Sequence, residues 1–166
     1  SSNWTVPRAC NAGLSRRALE YLVSRDPDWG GGQDAAYVAV KRNHLHVLQW
    51  LNERYPDRTS WGSHKERCLL NKAAELRHLS VVQWLHANRR EKCTAFAMSI
   101  AASNGDLAME QWLHENRREG CTKQAMDDAA ENGHLAVVGW LHSNRREGCT
   151  EDAMDDAAAN GHLEVV

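Results

Sequence analysis

Three pairs of histidine and cysteine, His86 with Cys93, His114 with Cys121 and His142 with Cys149, recur seven residues apart and could bind a soft metal ion. Zinc needs four ligands converging within about 2.0–2.3 Å of one point. Copies in successive helical units would stand about 8–10 Å apart, the spacing of packed helices, so at most two ligands meet anywhere. No metal centre is expected. The same spacing exceeds the ~7 Å between Cα atoms that a disulfide tolerates. Five unpaired and mostly buried thiols, Cys10, Cys68, Cys93, Cys121 and Cys149, therefore point to a reducing interior such as cytoplasm or nucleus. Arg89/Arg90, Arg117/Arg118 and Arg145/Arg146 could form a phosphate-binding comb, but Glu91, Glu119 and Glu147 accompany every copy. With 20 basic against 22 acidic residues there is no basic excess, and nucleic acid is not the expected partner. The carboxylate pairs Asp127/Asp128 and Asp155/Asp156 are adjacent in sequence, which turns their side chains about 100° apart on a helix. One of each pair faces outward and the other can reach a neighbouring backbone; acid–base catalysis is not indicated.

What positions these residues is a repeated stanza. NGDLAMEQWLHENRREGCT (104–122) returns as NGHLAVVGWLHSNRREGCT (132–150), with 14 of 19 letters unchanged and a period of 28. AMDDAA at 125–130 comes back at 153–158, and HLSVVQWLHANRREKCT (78–94) is the same text one step earlier. A fixed period of this length marks an array whose units bury their apolar faces only by stacking. Each stanza reads as a short first helix closed by glycine, then a second helix such as HLAVVGWLHSN. In that second helix Leu135, Val138 and Leu141 form one stripe, with Val137 and Trp140 adjoining it. Trp50, Trp84, Trp112 and Trp140 stand at matched positions and are expected in the core. His134 and His162, just after helix-ending glycines, are expected to hydrogen-bond the turns. Thr122 and Thr150 stand where helix N-caps belong. WGGGQD (29–34) is a connector that Gly30, Gly31 and Gly32 keep from being helical, and PDRTSWGSHKER (56–67) is an inserted loop carrying Trp61. No stretch alternates with strand period, so the expected class is all-α.

The segment AAENGHLAVVGWL (129–141), with partial copies at 73–85 and 101–113, resembles the heart of ankyrin repeats, AAxxGHxxVVxLLL. The usual period is 33, and the opening T-P-L-H is replaced here by K-Q-A-M-D-D or E-D-A-M-D-D. The resemblance implies one ankyrin-like solenoid domain, 1–166, with units at about 1–32, 33–64, 65–93, 94–121, 122–149 and 150–166. It also implies a non-catalytic scaffold that binds another protein through the concave side lined by the first helices. No glycine-rich phosphate loop or nucleophile elbow contradicts this, and neither cofactor nor membrane is expected.

Comparing the copies separates two kinds of position. Letters that repeat serve stacking; letters that change at exposed first-helix sites are free for recognition. The changing set is Tyr37 and Lys41; Asn71, Lys72 and Glu75; Ser99 and Ser103; Asp127, Asp128 and Glu131; Asp155 and Asp156. It turns from aromatic and basic to acidic along the chain, so the acidic end is expected to recognise basic residues of the partner. Self-association through the C-terminal unit is a further expectation, because an end unit leaves its stacking face bare.

Overall fold

The computed structural model describes residues 4–29, 33–56, 68–89, 95–117 and 122–165. Every regular element among them is helical. The loop at 57–67 with Trp61, the glycines 30–32, Arg90, Glu91, Cys93, Arg118, Glu119 and Cys121 lie outside the described residues. The chain divides into two compact units, Ser1–Glu91 and Lys92–Val166.

In the first unit α1 (Val6–Ala12) pairs with α2 (Arg16–Arg25), α3 (Gln33–Lys41) with α4 (Leu45–Arg54), and α5 (Leu69–Glu75) packs on α6 (Leu79–Asn88). Helix α1 packs on α3 and α3 on α5, so first helices lie against first helices. In the second unit α7 (Phe96–Ser103) pairs with α8 (Leu107–Asn116) and α9 (Lys123–Glu131) with α10 (Leu135–Asn144). There α9 lies between α7 and α11 (Asp152–Ala159), and α8 touches α10.

The first helices can approach so closely because their inward letters are small. Ala102, Ala125 and Ala129 are fully buried and, with Met126, receive Val137 and Leu141 from α10. A smaller cluster of Ala130, Ala153 and Ala157 accepts Val138 and Val165. Full burial of Leu141 contributes about 1.5–3 kcal/mol, and an aspartate there would break the pair. The apolar stripe differs from its sequence expectation at one residue: Leu135, first in its helix, is 48% exposed, while Val137 and Leu141 do the packing. The tryptophans also divide. Trp50 is buried, donates from Nε1 to Glu20 at 2.8 Å and stacks on Trp29, whereas Trp84, Trp112 and Trp140 are half-buried.

The turns between paired helices show how the stanza closes. Gly105 and Gly133 adopt φ of 67° and 71°, a left-handed helix end that side chains resist. A Cβ at Gly105 would come within 2.6 Å of the His134 ring, one period on, and His162 stands equally close over Gly133. The imidazoles also bond the turn they cover: His134 Nε2 lies 3.0 Å from the Ser103 carbonyl, and His44 Nε2 3.3 Å from that of Asn11. In α5 and α6 the motif persists with His78 Nδ1 3.0 Å from the Val40 carbonyl, although Asn43 replaces the glycine and carries φ of 59°.

Candidate recognition surface

The twelve candidate positions all fall on first helices, as the stanza requires. In the first unit Tyr37 and Lys41 sit on α3, and Asn71, Lys72 and Glu75 on α5. Tyr37, Asn71 and Lys72 are half-buried, Lys41 and Glu75 exposed. Lys72 Nζ meets Glu75 Oε1 at 2.6 Å, one turn apart, so these two charges satisfy each other.

In the second unit the packing of α7, α9 and α11 brings the remaining positions together and sorts them. Ser99 and Asp127 are buried, against the expectation that they are free solvent-facing sites. Asp127 Oδ1 accepts the Thr150 backbone N–H at 2.8 Å, and Ser99 Oγ lies 3.4 Å from Thr122 Oγ1, each spanning 23 residues. They perform one job at equivalent places: each holds the segment leading into the next first helix. Thr122 precedes α9 without capping it through its side chain, which corrects the expected cap. Adjacent Asp128 accepts from Gln124 Nε2 at 2.7 Å and remains half-buried. Glu131, Asp155 and Asp156 are exposed, and Asp152, which the comparison of copies did not select, is exposed beside them. Ser103 is half-buried and its carbonyl is taken by His134. The acidic end of the candidate set is thus Asp128, Glu131, Asp155 and Asp156, with Asp127 serving the fold.

The arginine turns resolve in the same manner. Arg89 Nη1 donates to Asn52 Oδ1 at 3.2 Å, and Arg145 Nη1 lies 3.1 Å from His114 Nδ1, so both reach back to the preceding second helix. Arg145 Nη2 also meets Glu147 Oε1 at 2.5 Å. Burial pushes the Glu147 carboxyl up, but hydrogen bonds from Arg145 and from the backbone amides of Glu147 and Arg146, with the Arg145 charge, hold it below its ordinary value. His114 in turn packs edge-on to Trp140, ring centres 5.2 Å apart. Histidine and first arginine are therefore structural partners, and Arg146 is left exposed. Among the described residues no group of three or more potential ligands could hold a metal ion. Of the thiols, Cys10 is buried and pushed up to about 11, but Cys68 is half-buried and Cys149 exposed, which corrects the expectation of a buried series.

One residue of chemical interest escaped the candidate set. Glu110 on α8 is fully buried, and neither carboxylate oxygen has a hydrogen-bond partner. Burial pushes it up to about 8, against the opposing pull of Arg145. The signal was present in the sequence: Val82 and Val138 occupy the same place one period to either side.

A scan against protein-family models finds no match to this chain, and a search of curated proteins finds none.

Proposed function

We propose that the chain is a non-catalytic protein-binding module, an ankyrin-like solenoid whose first helices present the recognition surface, and that α9 and α11 grip a basic segment of a partner protein. The observation that carries this is the division of labour between Asp127 and its neighbours. Stacking accounts for Asp127, and it leaves Asp128, Glu131, Asp155 and Asp156 outside that bond, with Lys123 the one lysine or arginine on the two helices. A face with an excess of carboxylates raises the encounter rate with cationic partners and makes it sensitive to salt.

The test uses a lysine- and arginine-rich peptide as probe, with association followed by stopped-flow fluorescence at low and physiological salt. Reversal of Asp128, Glu131 and Asp156 to lysine should slow association and flatten its salt dependence. Equal binding by the reversed chain would remove this face from consideration. A single-stranded oligonucleotide serves as the second arm; a mobility shift lost on Arg146→Ala would move recognition to the arginine turns.

A further inference from the structure

Two positions one turn apart share a face on each first helix of the second unit, and the three copies fill them differently. They are Phe96 and Ile100 on α7, Gln124 and Asp128 on α9, and Asp152 and Asp156 on α11, each pair 28 residues after the last. Stacking does not use them. Helix α9 has α7 on one side and α11 on the other, yet Gln124 is exposed and Asp128 only half-buried. Phe96 is 62% exposed, Ile100 is half-buried, and α7 carries no charged residue, whereas Asp152 and Asp156 are both exposed. Gln124 Nε2 donates to Asp128 Oδ1 at 2.7 Å, so these two side chains lie together on the row, while neighbouring Lys123 is turned about 100° from Gln124.

The row therefore begins apolar and ends acidic. Packed helices stand about 8–10 Å apart and an extended chain advances about 3.3 Å per residue, so a segment crossing from α7 to α11 meets a new helix at every third residue.

We infer that this row takes an extended segment of a partner protein that sets one large apolar side chain on Phe96 and Ile100 and basic side chains three and six residues further along, over Asp128 and Asp156. The two surfaces match in chemistry and in spacing. The apolar residue covers side chains that stacking leaves in water, and the lysines or arginines meet carboxylates that grow more numerous toward α11. This rests on the acidic face proposed above and adds to it an anchor that a purely basic segment lacks.

Fluorescence anisotropy of labelled heptapeptides with the full chain at low salt tests this. Leu-Ser-Ser-Lys-Ser-Ser-Lys and its reversed sequence cover both directions of crossing, each with a control in which serine replaces leucine. One leucine peptide should bind about tenfold more tightly than its control, the gain expected for partial burial of a leucine side chain. Moving the leucine one residue closer to the lysine should cancel that gain. Phe96→Ser should bring the leucine peptide down to its control, while Phe96→Leu, which keeps an apolar surface, should preserve the difference. Equal and salt-dependent binding of leucine and control peptides overturns the anchor and leaves the acidic face standing. A tenfold gain that survives Phe96→Ser overturns the placement on α7, and absence of binding by every peptide removes the anchor and the acidic face together.

Discussion

Replacing Glu110 by valine should stabilise the protein, and by an amount that depends on pH. The carboxyl is fully buried without a hydrogen-bond partner and is pushed up to about 8 from 4.5. A carboxyl raised in the folded state destabilises above its unfolded pKa. The loss is absent below about pH 4.5, grows by about 1.4 kcal/mol per pH unit, and levels off above pH 8. At pH 7 it is on the order of 3 kcal/mol, and on the order of 5 at the plateau. The neutral acid still leaves unpaired polar atoms, so about 1–3 kcal/mol remains to be gained at pH 5. Arg145 offsets part of the cost, Asp106 and His114 stand four residues before and after Glu110 at α8, α7 contributes no titratable residue, and His142 on α10 is exposed. Urea denaturation at pH 5, 7 and 8.5 reads all of this. Glu110→Val should move the midpoint upward at each pH, most at 8.5. Glu110→Gln should abolish the difference in slope against pH while keeping the polar burden. An equal gain from Glu110→Val at pH 5 and 8.5, or a loss at either, would refute the reasoning.

Three other outcomes follow from the same packing. Gly133→Ala should cost at least about 1–2 kcal/mol in urea denaturation, because φ of 71° and the His162 ring both oppose a Cβ. Gly139→Ala, within α10 and facing open space, should instead gain about 0.5–1 kcal/mol. Asp127→Ala should lose about 1–3 kcal/mol in the same measurement by leaving the Thr150 amide unpaired, whereas exposed Asp156→Ala should change stability little. Native-state alkylation at pH 8 should label Cys149 quickly and Cys10 only on unfolding, since burial pushes the Cys10 thiol up to about 11.

The period of 28 places the helices of the regular stanzas, because the alanines that permit close approach recur in them and the turn between paired helices keeps a left-handed residue, glycine at Gly105 and Gly133 and Asn43 or Arg77 in the earlier pairs. It also foretold that one carboxylate of the Asp127/Asp128 pair would reach a neighbouring backbone. What it could not assign was which one, since that depends on how far α9 is rotated toward α11. Leu135 misled for a related reason: its letter fits the stripe, but at the first position of α10 it lies beyond the reach of the packed helices. Comparing copies was sharpest where one letter broke the pattern. Glu110 among valines is visible in the text, yet its burial without a partner is a property of packing. Asp106, where other stanzas write histidine, caps its own helix by accepting the Met109 N–H at 3.1 Å.

The central claim is that equivalent letters do equivalent work, so that only their exceptions are available for recognition. Proton NMR of the glycine Hα resonances tests it most directly, because an imidazole stacked on a glycine shifts that proton upfield and gives a cross-peak to the ring. Gly13, Gly105 and Gly133 should all show both. If Gly105 and Gly133 differ from each other in this respect, the copies are not equivalent and the division between stacking and recognition positions fails.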